Sequence, residues 1–276
     1  MRMKKMRRLS VGLALFLCSM FALISFFLFP VTTARAATPA FVRIIHASPF
    51  VATADVFVDG SPFLTSFAFG AIAGYAPVPA GSHKVQIALA GKGPTGAALT
   101  QVLAVQPGGV YTVAATGTRP TNLALKVFVD SNLFTNGMSK VRVYQLTPDG
   151  GWMDVLDGGK LMAGADYQNA TGYLTLAPGA TMFTLKSESM SRTLSLSTTL
   201  QANFVTSVFS IGMFAGEPKA QLVIAQTAAL PGLPQTGSDP APVLSSGGQL
   251  DMPWLLLALA VVLVGGTLFT RRLFAH

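Results

Sequence analysis

The sequence is written twice over most of its length. Val42-Arg43-Ile44 returns as Val141-Arg142-Val143, Pro49 as Pro148, and Asp55-Val56 as Asp154-Val155, each pair separated by 99 positions. Farther along, Gly74-Tyr75 matches Gly172-Tyr173 at a separation of 98, and Val78-Pro79-Ala80-Gly81 matches Leu176-Ala177-Pro178-Gly179 at the same separation. Val85 and Ile87 then fall on Phe183 and Leu185. One deletion accounts for the change. Self-similarity of this kind means that one structural unit is built twice, and the two copies occupy residues 41–130 and 140–229.

The pattern inside each copy selects strands. Val85, Ile87 and Leu89 alternate with Lys84, Gln86 and Ala88, which is the period of a half-buried strand. Val110-Tyr111-Thr112-Val113 is a β-branched and aromatic run closed by Gly117, and Gly or Pro recurs about every ten residues. Asp59-Gly60, and Asp157-Gly158 in the second copy, suit tight hairpins that need positive φ. No stretch of helical period carries caps. The expected fold is all-β: two tandem immunoglobulin-like β-sandwich domains.

Charge removes one class of function. The chain of 276 residues carries a formal charge of +8, but the excess sits at its ends, in Arg2, Lys4, Lys5, Arg7, Arg8, Arg35, Arg271 and Arg272. Within 37–236, 11 Lys and Arg face 9 Asp and Glu, so no basic patch is left for nucleic acid.

The ends describe export. After the N-terminal basic residues comes an apolar run, then Pro30 and Ala34-Arg35-Ala36, the tripartite pattern of a signal peptide over 1–36. Cleavage is expected between Ala36 and Ala37; retention as a signal anchor is the alternative, because the run is long enough to span a bilayer. Cys18 is the sole cysteine and lies inside that run behind Leu17, so it does not match a lipid-attachment site. The mature chain therefore has neither disulfide nor Cys-based metal site.

At the other end, a Pro/Gly/Ser-rich linker (230–253) contains Leu233-Pro234-Gln235-Thr236-Gly237, followed by an apolar span (254–270) and a basic tail (271–276). This arrangement resembles the Leu-Pro-x-Thr-Gly sorting signal of Gram-positive surface proteins. The resemblance implies that a sortase cuts between Thr236 and Gly237 and joins Thr236 to peptidoglycan. The alternative is a transmembrane helix that stays as a single-pass membrane anchor, with Arg271 and Arg272 on the cytoplasmic side.

Copy one, Val42-Arg43-Ile44-Ile45-His46-Ala47-Ser48-Pro49 followed by Asp55-Val56-Phe57-Val58-Asp59-Gly60, Tyr75 and Pro79-Ala80-Gly81, resembles a bacterial secreted module, domain of unknown function 4397, which is often found in tandem. The resemblance implies export, a β-sandwich and tandem display. It brings no activity.

His46, Ser48 and Asp55 are the residue types of a base, a nucleophile and an orienting acid, and a cell-surface hydrolase using them is one reading. The second copy argues against it. There His46 becomes Gln145 and Ser48 becomes Thr147, while Asp55 is kept as Asp154. Gln hydrogen-bonds but takes up no proton at neutral pH. The simpler reading is structural, with these side chains satisfying backbone groups where the strand ends.

Other candidates are weaker. Asp55 with Asp59, and Asp154 with Asp157, offer too few oxygens for calcium. The segment 91–96 lacks the Gly-Lys-Ser/Thr ending of a phosphate loop and reads as a hairpin tip. Trp152 and Tyr167 read as core residues, with an exposed sugar-binding platform as the alternative. The sequence calls for no cofactor, no metal and no catalytic residue. It describes a non-catalytic surface module whose partner is an unidentified extracellular protein or glycan.

Overall fold

The computed structural model describes residues 38–131 and 136–228. They divide at Asp130–Ser131 into two compact units. The signal-peptide and cleavage positions (1–36, with Ala34, Ala36 and Ala37), the linker with the 233–237 motif, the apolar span and the basic tail lie outside the described residues. Among the described residues no helix is long and apolar enough to cross a membrane.

The first unit has eight strands: β1 (Ala40–His46), β2 (Thr53–Val58), β3 (Ser61–Ala68), β4 (Ala76–Val78), β5 (Gly81–Leu89), β6 (Ala97–Val105), β7 (Val110–Thr116) and β8 (Ala124–Val129). One sheet runs β4-β1-β7-β8 and the other β3-β2-β5-β6. Val42, Ile44 and Val113 from the first sheet meet Val56, Val85 and Ile87 from the second in one apolar core. Each such buried side chain contributes about 2 kcal/mol.

The second unit repeats the plan with β9 (Ser139–Gln145), β10 (Met153–Asp157), β11 (Lys160–Ala165), β12 (Asn169–Ala170), β13 (Leu174–Leu176), β14 (Gly179–Ser187), β15 (Arg192–Leu200), β16 (Val205–Ile211) and β17 (Gln221–Thr227). β12 and β13 both border β9, which pairs with β16, and β16 with β17; the other sheet runs β11-β10-β14-β15. Val141, Val143 and Val208 pack with Val155, Phe183 and Leu185.

The repeat extends beyond the matches visible in the sequence. β1 runs parallel to β7 with Phe41 opposite Val110, and β9 runs parallel to β16 with Lys140 opposite Val205. The separation between copies has therefore fallen to 95 by β7 and β16. The residues are lost between the paired strands: 90–96 join β5 to β6, whereas only 188–191 join β14 to β15.

Two expectations need correction. In the immunoglobulin arrangement the first two strands share a sheet; here the chain crosses to the other sheet after β1, and β1 lies parallel to β7. The second correction concerns a turn. In the first unit Val58 pairs with Ser61, so Asp59 and Gly60 form the loop, with φ of 51° and 83°. In the second, Asp157 pairs with Lys160, and Gly158 and Gly159 form the loop at 54° and 86°. A hairpin of this kind needs positive φ at both loop positions, which a Gly pair adopts without steric cost. Asp157 thus stays in the strand, where its carboxylate accepts the Thr181 hydroxyl.

A glutamine bridges the two sheets at the same edge of each unit, from opposite sides. Gln101 on β6 takes the amide of Leu125 on β8 at 3.2 Å and donates to its carbonyl at 3.3 Å. In the second unit Gln226 on β17 donates instead to the carbonyl of Thr199 on β15 at 2.8 Å.

Candidate functional site

β1 and β2 present the polar motif at the end of the first sandwich. His46 closes β1 and is 2% exposed. Its ring lies 6.2 Å from that of Phe67 and 6.1 Å from that of Phe69, and neither ring nitrogen has a hydrogen-bond partner among the described residues. Burial in this apolar setting pushes the imidazole down to about 4, so it is neutral at physiological pH. A base needs a proton path to its nucleophile, and His46 hydrogen-bonds to neither Ser48 nor Asp55. It also departs from the expectation that it satisfies backbone groups. It fills apolar space.

Ser48 meets that expectation. Its hydroxyl donates to the carbonyl of Gly117 at 2.6 Å, joining the turn after β1 to the loop after β7. Gly117 has φ of 113°, and a Cβ there would lie 2.5 Å from the Asn122 carbonyl oxygen. The second unit makes the same junction with other groups. Asp149 accepts the amides of Phe214 and Ala215 at 3.0 and 2.8 Å, while the Thr147 hydroxyl has no hydrogen-bond partner among the described residues. Gln145, the counterpart of His46, accepts the Thr147 amide at 2.8 Å and the Ser210 hydroxyl at 2.7 Å, and donates to the Gly151 carbonyl at 2.9 Å.

Asp55 is also occupied. One carboxylate oxygen accepts the amide of Ser66 and the other that of Gly91, both at 2.8 Å. The amides of Gly91 and Ser66 hold its carboxyl below the usual carboxylate range. Asp55 thus clasps an irregular point of β3, where Ser66 has φ of 52°, and the turn after β5. The three residues of the hydrolase reading are not brought together.

Asp59 makes the one His–carboxylate pair among the described residues. His83 Nδ1 donates to Asp59 at 2.7 Å, and its Nε2 faces the Pro79 carbonyl at 2.7 Å. Both ring nitrogens meet acceptors, which favours imidazolium. Asp59 first, and then the Pro79 carbonyl, raise the His83 pKa. The His83 bond, followed by the Lys84 amide, lowers that of Asp59.

Arg43 and Tyr75, the other motif residues, form a buried polar cluster. The guanidinium lies 4.7 Å from the centre of the Tyr75 ring, and Nε donates to the Thr112 hydroxyl at 2.7 Å. Asp130 accepts from the Tyr75 hydroxyl at 2.8 Å and from the Thr112 hydroxyl, and lies 3.9 Å from Arg43. In the second unit Arg142 keeps the stacking, 5.0 Å from the Tyr173 ring, and donates to the Thr171 carbonyl at 3.1 Å.

These are the residues that define the sequence motif, and each holds structure in place. The profile of a domain of unknown function, DUF4397, matches residues 40–156 and 139–232. The chain belongs to the DUF4397 family. No curated protein matches it. Among solved structures it is similar to a "putative cell adhesion protein" from Bacteroides ovatus, at 10% identity and TM-score 0.23, over 71% of this chain and 99% of the other. A second protein of the same description, from Bacteroides eggerthii, matches at 12% identity and TM-score 0.20, over 71% and 97%.

An apolar cavity of about 40 Å³ in the first DUF4397 unit is lined by Val42, Val58, Phe63, Val85, Leu103 and His83. It is too small for an organic ligand and too apolar for ordered water. Among the described residues no group of three or more His, Cys, Asp or Glu is placed to hold a metal ion.

Trp152 corrects an expectation. It is not a core residue but is 47% exposed at the bend just before β10, with its indole N–H donating to Asp154 at 2.9 Å. Tyr167 is half-buried. A Trp at the entry to a strand, followed two residues later by an acid within hydrogen-bond reach of its indole, was the available signal.

Proposed function

We propose that the chain is a non-catalytic cell-surface protein that displays two tandem DUF4397 units as a binding or stalk module. The observation that carries this is the use made of the motif's polar groups. The Ser48 hydroxyl and both Asp55 oxygens are spent on backbone groups, and His46 is neutral and enclosed by Phe rings. A hydrolase needs a nucleophile in hydrogen-bond reach of its base, and Ser48 points elsewhere.

Export and anchoring rest on the two ends of the sequence. The signal peptide sends the units outward. The motif Leu233-Pro234-Gln235-Thr236-Gly237 offers a sortase substrate, and the span behind it holds the chain in the membrane until cutting or permanently. Protease shaving of intact cells tests display, and mass spectrometry of the mature C-terminus tests anchoring. Release of peptides from 38–228, with a peptidoglycan fragment on Thr236, supports wall display. An intact His276 end assigns membrane anchoring instead. Resistance of those peptides in intact cells, with cleavage only after lysis, contradicts surface display.

A further inference from the structure

We propose that the outer face of the β11-β10-β14-β15 sheet binds a glycan, with a pyranose ring stacked on Trp152. This deepens the reading of the chain as a surface binding module and rests on it.

The indole is held in place before any ligand arrives. Its Nε1 donates to Asp154, two residues on in β10, at 2.9 Å. It also lies across Gly164 of the neighbouring strand, where a Cβ would come within 2.5 Å of Cζ2, 2.7 Å of Cε2 and 2.9 Å of Nε1. Any side chain at position 164 would displace the ring. Close to half of the Trp152 side chain nevertheless stays open to solvent. A fixed aromatic surface loses little conformational entropy on binding.

The surroundings select the partner. Lys186 pairs with Asp154 in the ladder, and the Glu188 amide bonds to the Trp152 carbonyl at 3.3 Å. Both side chains are exposed. On the same sheet the hydroxyls of Thr184 and Ser195 meet at 3.1 Å. One flat ring with carboxylates, an ammonium and hydroxyls nearby matches a pyranose, whose C–H face is apolar and whose rim both donates and accepts. A protein partner needs roughly 800 Å² on each side with an apolar centre. The other large apolar side chains exposed on this sheet, Leu161 opposite Leu156 and Met182 on β14 beside Gly158, lie about 13–20 Å down the sheet from Trp152 and build no apolar centre around it. A quaternary ammonium favours an enclosure of several aromatic rings, and here a single ring lies open.

The first unit is the internal control. Thr53 stands where the second unit has Trp152, and Asp55 holds two backbone amides where Asp154 holds the indole. The same carboxylate position thus closes structure in one copy and orients an exposed aromatic in the other.

The test uses the full chain, solubilised in a polyoxyethylene detergent, on an array of neutral and N-acetylated pyranose oligosaccharides and against choline chloride in solution. The prediction is saturable binding to at least one oligosaccharide, weakened about tenfold or more by Trp152→Ala, which corresponds to about 1.4 kcal/mol, with the melting temperature unchanged. Gly164→Val, which displaces the ring without removing it, weakens the same binding. Should Trp152→Ala melt early, Asp154→Asn reports instead, because it frees the indole while leaving the core intact. Absence of binding to every oligosaccharide, binding indifferent to these variants, or salt-sensitive binding of choline alone overturns the proposal. The surface-display reading stands or falls separately, on the C-terminal mass and on shaving.

Discussion

The Ser48 hydroxyl donates to the Gly117 carbonyl at 2.6 Å, and this bond ties the turn after β1 to the loop after β7. The residue that resembles a nucleophile is a buried fastener. Ser48→Ala leaves the carbonyl without that donor and is expected to cost about 1–3 kcal/mol. Thr147→Val, its counterpart, removes a hydroxyl that has no hydrogen-bond partner among the described residues, and is expected to be neutral or stabilising. Urea unfolding of both variants, followed by circular dichroism and by hydrogen exchange of each unit, checks the contrast.

His46 makes stability depend on pH. In the unfolded chain its imidazole titrates near 6.5, whereas in the fold it stays neutral down to about 4. Between those values the unfolded state binds more protons, so stability falls as pH falls through the window. The loss from this residue reaches about 3 kcal/mol by pH 4. His83 has the opposite sign: its raised pKa gives stability that is present below 6.5 and lost as pH rises through the folded value. His46→Gln is expected to flatten the acid-side slope and lower stability at pH 7. Adding Ala115→Ser, which supplies the hydroxyl that Ser210 gives Gln145, is expected to recover part of that loss. Unfolding free energies at pH 4.5, 5.5, 6.5 and 7.5 read both effects.

Asp130 is the acceptor at the centre of the Arg43 cluster. Asp130→Ala removes the acceptor for the Thr112 and Tyr75 hydroxyls and the carboxylate beside a guanidinium that is 2% exposed. The expected cost is about 3–5 kcal/mol, because a buried guanidinium loses its neighbouring carboxylate and two hydroxyls lose their acceptor. The ladder places Thr227 at the same point of the second unit, which does without a carboxylate there. A fall in the unfolding midpoint confined to the first unit, measured by hydrogen exchange, checks this.

Much of the fold was legible in the repeat. The alternation in β5 named its buried face, and the 99- and 98-residue separations fixed the equivalence of β1 with β9 and of β5 with β14. The match of β7 with β16 was not legible, because the shortened connection shifts the register and Val110-Tyr111-Thr112-Val113 shares only two valines with Val205-Thr206-Ser207-Val208. Strand order was also hidden, since the parallel pairing of β1 with β7 joins residues 69 positions apart, as Phe41 and Val110 do. At the site, the copy comparison pointed to a structural use of Ser48, whose hydroxyl donates to the Gly117 carbonyl. It did not show that His46 lies among Phe rings, because Phe67 and Phe69 reach it from β3 and the turn after it. Trp152 misled for a simple reason: a large aromatic is more often buried than not, and only the Gly164 gap on the next strand lets it lie flat outside.

The most direct test of the central claim pairs two readings on one preparation: hydrolysis of ester and peptide substrates, and denaturant stability, for the native chain and Ser48→Ala. No turnover by the native protein above the buffer rate is expected, together with a Ser48→Ala variant that unfolds at lower denaturant. Turnover by the native protein that disappears in Ser48→Ala, with stability unchanged, would contradict it.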